Sequence, residues 1–573
     1  MVSHMSAAPQ LAAALRLLRC LRGEGYEAYL AGGCVRDLLL GREPSDYDVA
    51  TSATPDVVLD LFPRTFAVGA HFGVVLVSQA CSQEDATESG PSEVAQVVTE
   101  VATFRSDGVY SDGRHPDAVR YTLSAEEDVR RRDFTINGLL FDPLVLLDEC
   151  AGNGANSSQV PKSEGPTPQR RRPVVGDPGP GAPADLLAQS VDDVDAFAPP
   201  LQGSGIVDGL SSQGSAALHS GLFSRGPSGA FPAWAELLDD KERIRAAVID
   251  YVGGLADLDA GVVRAIGRAE ARFEEDHLRM LRAVRFVARF GFDLDPATAA
   301  AIRSLAPRIA SVSRERVRDE LTKMLTEGHA RRAFELLLET GLLAEVLPEA
   351  VKMVGVEQPP QFHPEGDVWT HVLLLLDQLE PGCPMSLGWG ALLHDIGKPA
   401  TFRRAVDRIR FDGHVEVGVA IAADICRRFR FSNDEARQIL ALVENHMRFM
   451  DAQRMKTSTL KRFFRLDHFE QHLALHRMDC LASKGGLENW EYMRERWQQM
   501  PADAVRPQLL VTGRELIAAG YLPGAAFKTM LHAAEEAQLE GSIATAVEVM
   551  ELVRERFGPP SNPAPQAIDP TQN

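Results

Sequence analysis

The chain has 573 residues and a formal net charge of −20, with 45% hydrophobic and 24% charged residues. At about 100–200 residues per domain this length holds several domains of ordinary globular composition. The acidic total excludes a protein that coats nucleic acid over its whole surface, and no apolar run approaches the ~18 residues of a membrane span.

In chain order, residues 8–148 are expected to form a mixed α/β unit. Leu11–Leu21 has helical apolar spacing, Glu27–Gly32 is strand-like and runs into a glycine pair, and Val74–Val77 and Val97–Phe104 are β-branched runs suited to strands. Between Ala151 and Pro232, Gly and Pro make up 24 of 82 residues. That is the level of low-complexity disorder, so 149–247 is expected to be an insertion, mostly disordered, with Arg170-Arg171-Arg172 as its charge cluster. After Trp234 the pattern is helical and strand character is almost absent. The expected divisions are 248–352, 353–485, 486–560 and a disordered tail at 561–573.

Seven cysteines stand at 20, 34, 81, 150, 383, 426 and 480 without a CxxC pair. That argues against a disulfide framework or a cysteine zinc site and fits a reducing cytosol. The chain opens without a basic segment and apolar core, so no secretory signal is expected, and Met1–Met5 is set aside. Charge is uneven: Arg264–Arg332 carries 15 Arg and Lys against 10 Asp and Glu inside an acidic chain.

The densest block is Leu30–Thr51, LAGGCVRDLLLGREPSDYDVAT. A strand ends at Gly32-Gly33 and a helix starts near Val35. Glycines let a backbone approach phosphate, and a helix start attracts an anion. Asp46 and Asp48, read as i and i+2 of a strand, present two carboxylates to one side, a hard-oxygen site for Mg²⁺. Glu100, on a neighbouring strand, is the candidate third acid. A lone GG or DxD is commonly a turn or a solvated loop; the ordered block argues for phosphate chemistry.

This block resembles the head of the class II tRNA nucleotidyltransferases, the CCA-adding enzymes, and their poly(A) polymerase relatives. The resemblance continues in order through Arg131-Arg132-Asp133-Phe134-Thr135-Ile136-Asn137-Gly138 (with Gly138 where alanine is usual), Tyr251–Leu258, Glu275–Phe286 and Ser313–Leu321. It implies that Gly32, Gly33 and Arg36 hold the triphosphate and that Arg131, Arg132 and Asp133 contact triphosphate and ribose. Asp276 and Arg279, read as one helical face with Arg282, would select CTP or ATP, while Arg282 and Arg285 meet phosphate. By spacing alone Asp276 and Arg279 are an ordinary surface ion pair. The loop Phe104–Pro116 stands where the family's loop accompanies the switch from C to A addition. The departure from the family is the insertion of roughly 100 residues after Asp142-Pro143.

Farther on, His371, His394-Asp395 and Asp479 resemble the metal ligands of the HD phosphohydrolase superfamily, with His414 and His446 as further candidates for a second metal or phosphate. A structural metal or a vestigial site is the plainer reading of these residues. Val511–Gly541 reads as a helical hairpin and resembles the RNA-contacting end of such chains.

The expected fold is α+β: a small mixed α/β nucleotidyltransferase head (8–148), then all-α neck and body (248–352), HD domain (353–485) and tail (486–560). The expected function is template-independent addition of CCA to the tRNA 3′ end from CTP and ATP, with Mg²⁺ at Asp46, Asp48 and Glu100. A divalent metal in the HD domain is a further expectation. The expected partners are tRNA, CTP and ATP, with no membrane and no protein partner in evidence, and the expected location is cytoplasmic. An A-adding enzyme or poly(A) polymerase would share the motifs; an HD phosphohydrolase or a tRNA-binding module with dead sites are the readings from other classes.

Overall fold

The computed structural model describes residues 8–67, 73–80, 96–107, 119–146, 240–361, 363–406 and 408–560. The chain divides into one unit made of Met1–Leu144 with Lys241–Asn573, and a second, Val145–Asp240. Of the second unit only Val145, Leu146 and Asp240 are described. Most of the insertion, the loop tip 108–118, Cys81, Cys150 and the tail 561–573 lie outside the described residues.

The head is built on a sheet whose strands are β1 (Ala28–Ala31), β2 (Val49–Thr51), β3 (Thr65–Phe66), β4 (Val74–Ala80), β5 (Gln96–Thr103), β6 (Leu139–Phe141) and β7 (Val248–Asp250). Their order is β3-β4-β5-β2-β1-β6-β7. β2 and β5 run parallel and every other neighbouring pair is antiparallel. Helix α1 (Ala8–Gly23) turns Leu11, Leu15, Leu18 and Leu21 inward at the expected helical spacing. Helix α2 (Gly33–Leu39) follows β1 at once, because Gly32 adopts a φ of 75° that reverses the chain between strand and helix.

Two expectations about where elements belong are corrected here. Val248–Asp250, assigned by sequence to the helical neck, is the edge strand of the head sheet, and Lys241–Ala246, assigned to the insertion, is a helix of the first unit. Short β pairs also occur at Val262–Val263 with Asp293–Leu294, and at Arg403–Arg404 with Ile409–Arg410. Runs of two or three residues are too short for alternation to show.

The rest is helical. In the neck, α3 (Leu278–Phe290) buries Met280, Leu281, Val284, Val287 and Phe290 on one side, leaving Arg279, Arg282 and Arg289 to line the cleft described below. α4 (Arg314–Thr326) packs beside it. The HD region holds α5 (Val368–Leu376), α6 (Met385–Leu393), α7 (His414–Arg428), α8 (Asn433–Asn445) and α9 (Phe469–Ala482). One connected core runs from Phe134 in the head through α3, α4 and α6 to Ala482. The tail helices Ala525–Glu540 and Ala546–Phe557 close a separate small core around Leu516, Met530 and Val553. Among the described residues no helix is long and apolar enough to cross a membrane.

Candidate active site

A cleft of about 630 Å³ opens between the head sheet and α3. All thirteen head and neck residues singled out from sequence line it: Gly32, Gly33, Arg36, Asp46, Asp48, Glu100, Arg131, Arg132, Asp133, Asp276, Arg279, Arg282 and Arg285. Nine arginines and six carboxylates form its wall, a net of +3 inside a chain of −20. Such a wall attracts polyphosphate whatever the total charge, because association responds to local potential.

The acidic floor follows from sheet register. Val49 pairs with Val101 in the parallel ladder of β2 and β5, so Asp48 stands opposite Glu100 one residue back. Asp46 and Asp48 themselves precede β2 rather than lying within it, which corrects the strand expectation. Alternation survives nonetheless: Tyr47 is buried between them, and Ala31 N–H donates to the Asp48 carbonyl. Burial, with Glu100 and Asp46 adding repulsion, pushes Asp48 up from 3.8 to about 7. Glu100 is raised as well, by burial and by Asp46. Three crowded carboxylates held against their own repulsion fit a divalent cation.

The basic wall is organised by paired contacts. Asp133 accepts from Arg282 (2.7 Å to Nη2) and from Asn137 Nδ2 (3.1 Å). Burial opposes its charge, but Arg282 and Arg279 outweigh that and draw it down to about 2. Asp128, buried, holds Arg131 on one oxygen (2.7 Å) and Arg132 on the other (3.0 Å). Arg36 donates to Asp37 Oδ1 (2.8 Å) and Asn137 Oδ1 (2.5 Å) and lies 4.5 Å from the Phe290 ring centroid. A Cβ on Gly32 would come 3.1 Å from Arg132 Nη1.

The structure corrects the reading of the neck. Asp276 does not share a helix with Arg279: the preceding helix ends at Glu275, and Asp276 is extended. Its carboxylate accepts from Leu278 N–H (3.0 Å) at the start of α3 and from Arg316 Nη2 (2.7 Å) on α4. Arg279 is aimed by Glu275 (2.5 Å) and by the carbonyls of Arg272 and Arg131. Arg285 reaches the cleft wall, but its buried guanidinium is engaged by Glu320 (2.7 Å) and Glu327 (3.1 Å). That assigns it a structural ion pair where the resemblance implied a phosphate contact. Asn137, Asp128 and Arg316 are the contributors that spacing did not single out. Asn137 and Arg316 stand inside recognised segments, whereas Asp128 gives no sequence signal.

In the HD region all six expected residues converge. His371, His394 and Asp479 form one group whose ligand atoms lie within 4.8 Å, and Asp395, His414 and His446 form another. His371 Nε2 is 3.1 Å from Asp479 and 3.4 Å from His394 Nε2; His414 and His446 bring their Nε2 atoms within 3.4 Å of each other. Asp395 faces both groups, Oδ2 toward His394 (3.2 Å) and Oδ1 toward His446 (3.7 Å). Each Nδ1 is occupied elsewhere: His394 on Ala391 O, His414 on Phe411 O, His446 on Val443 O, His371 on Glu365. Inward Nε2 atoms with anchored Nδ1 atoms are the arrangement that metal-binding imidazoles adopt, so the residues fit a divalent metal at either group. Gly397 makes this possible, since a Cβ there would sit 2.0 Å from the His414 carbonyl.

Family profiles match the chain in the order of these features: "Poly A polymerase head domain" over residues 28–157, "Probable RNA and SrmB-binding site of polymerase A" over 291–353 and "HD domain" over 368–471. Residues 28–157 are thus similar to a poly(A) polymerase head domain and residues 368–471 to an HD domain. The CCA-adding enzyme of Geobacillus thermodenitrificans is 32% identical over 334 residues, covering 58% of this chain and 54% of the relative. That of Lactobacillus johnsonii is 30% identical over 368 residues, covering 64% and 63%. The chain thus spans a little over half the length of these relatives. The solved Bacillus stearothermophilus CCA-adding enzyme in complex with CTP superposes with a TM-score of 0.58 at 23% identity, over 96% of this chain and 98% of that one, which is a likeness of fold.

Proposed function

We propose that the chain adds CCA to the 3′ end of tRNA, without a template, from CTP and ATP. One observation carries this: residues drawn from separate motifs across more than 250 positions line a single cleft that joins an acidic floor to a basic wall. The triphosphate lies along Arg36, Arg131 and Arg132 near Gly32 and Gly33, with Arg282 behind Asp133. The base meets Asp276 and Arg279, whose acceptors and donor fork match a Watson–Crick edge. Asp46, Asp48 and Glu100 would hold Mg²⁺, which supplies a lowered pKa at the attacking hydroxyl and neutralisation of the leaving pyrophosphate. The relatives, named CCA-adding enzymes, support this reading over an A-adding or poly(A) enzyme.

The experiment is extension of a tRNA ending at its discriminator base, with labelled CTP and ATP, comparing wild type with Asp46→Ala. CCA addition that disappears in the variant is expected. Addition of A alone by the wild type, or near-normal addition by Asp46→Ala, overturns it.

The convergence of four histidines and two aspartates favours a second activity, metal-dependent hydrolysis of a phosphate ester at the HD site. Hydrolysis of a chromogenic phosphodiester should survive Asp46→Ala and be lost in His394→Ala. The opposite pattern would remove the HD reading.

A further inference from the structure

Of three groups whose ligand atoms lie within 4.8 Å, His363, Glu365 and His371 form one, and the two built from the six expected residues share a composition of two imidazoles and one aspartate each. A difference between them must therefore come from what surrounds the ligands. Three of the four imidazoles anchor Nδ1 on a backbone carbonyl three residues earlier. His371 alone anchors it on a carboxylate, Glu365 Oε1 at 3.0 Å. The same oxygen takes His363 Nδ1 at 2.7 Å. Both rings thus converge on one atom of a side chain that is 6% exposed, while Glu365 Oε2 is buried without a hydrogen-bond partner. Glu365 comes from the loop ahead of α5, so its placement serves no helix cap or strand ladder.

A carboxylate on Nδ1–H fixes the tautomer that presents the Nε2 lone pair, and it makes that nitrogen a stronger donor than a carbonyl partner does. The second group lacks such support. Its two imidazoles, His414 and His446, anchor Nδ1 on the carbonyls of Phe411 and Val443.

We propose that Glu365 is a positioning residue that makes the two metal positions unequal, strengthening binding at His371, His394 and Asp479 over binding at Asp395, His414 and His446. The proposal rests on the reading of the HD residues as a metal site. It assigns a role to Glu365, which belongs neither to the nucleotidyl-transfer cleft nor to the six ligands.

The test is titration of the full-length, metal-stripped protein with Co²⁺, followed by calorimetry and by the ligand-field absorption that imidazole ligation produces. His394→Ala identifies which steps belong to the HD site. The wild type should show a stronger and a weaker HD step. Glu365→Ala should weaken the stronger step about 10- to 100-fold and leave the weaker one in place. Glu365→Gln, which keeps an acceptor oxygen but no charge, should fall between. Equal weakening of both steps would make Glu365 a general structural residue and overturn the proposal, as would unchanged binding in Glu365→Ala. If the wild type shows no step that His394→Ala lacks, the metal reading of the HD site fails, and the proposal fails with it for that separate reason.

Discussion

Asp48 shows what a single side chain contributes to the cleft and what it costs the fold. Its carboxyl is raised from 3.8 to about 7 by burial first, then by Glu100 and Asp46. The folded chain therefore holds that proton more tightly than the unfolded chain. The stability this gives is complete below pH 3.8 and is lost as pH rises to 7. In metal-free buffer, the melting temperature of Asp48→Asn should gain on wild type across that window, and Mg²⁺ should close the gap while transfer stays abolished in the variant. A gap that widens as pH falls would reverse the assignment. Arg279 makes the complementary case for selection. Removing its donor fork leaves a base edge unpaired, a loss of about 1–3 kcal/mol or roughly 5- to 150-fold. Single-nucleotide extension with CTP, ATP, UTP and GTP offered separately should show lost preference in Arg279→Ala. Unchanged preference with a lower rate would make Arg279 a phosphate or structural residue, a role that its contact with Glu275 would then explain.

At the scale of elements, the junction of head and neck depends on close backbone approach. The helix Gly254–Ala260 starts against the Thr135–Asn137 turn, and Asp250 accepts from Val252, Gly254 and Leu255 N–H at 2.9–3.0 Å to seat it. A Cβ on Gly254 would meet the Thr135 carbonyl at 2.2 Å, while one on Gly253 meets nothing within 4 Å. Gly253 still carries a φ of 78°. Gly254→Ala should therefore cost more than Gly253→Ala in denaturant unfolding: ~1–3 kcal/mol or more for overpacking against rigid backbone, against ~1–2 kcal/mol for left-handed strain. The reverse order would mean that the helix start can shift. Asp257 on the same helix receives the Thr135 hydroxyl at 2.7 Å and pairs with Arg264.

At the scale of the molecule, a continuous core joins the two sites. Trp389 of α6 is fully buried, donates Nε1–H to Thr322 Oγ1 of α4 at 2.9 Å, and packs on Phe429 and Phe431. α4 also carries Arg316 to Asp276 in the nucleotide cleft. Trp389→Ala, at about 3–5 kcal/mol for a large core truncation, should lower the temperature at which the proposed CCA addition is lost, although Trp389 lies in the HD region. Heat inactivation of transfer measured beside unfolding should show the two falling together. Transfer that outlasts HD unfolding would mean that the neck is stable alone.

Much of the site was legible in sequence because its parts are short and local. Gly32-Gly33, the Asp46 and Asp48 pair, the Arg131–Asn137 segment and the His394-Asp395 pair each carry their chemistry within a few residues. The helical regions were legible through apolar periodicity. The rest depended on contacts between distant segments. Spacing places Asp276 on the helix of Arg279 because it cannot see that one helix ends at Glu275 and that Asp276 then accepts from Leu278 N–H at the start of the next. The phosphate contact of Arg285 is implied by the resemblance, which does not show that Glu320 and Glu327, on and just after another helix, engage its guanidinium. Val248–Asp250 was read as neck because a three-residue edge strand is defined by its partner, Leu139–Phe141, and not by its own pattern. Asp128 and Glu365 had no signal at all: an acid acquires a positioning role only when the fold brings cations or imidazoles to it. Residue type and local order determined which chemistry the chain carries. Tertiary structure alone decided which charges are already paired, because pairing depends on distances between segments far apart in the chain.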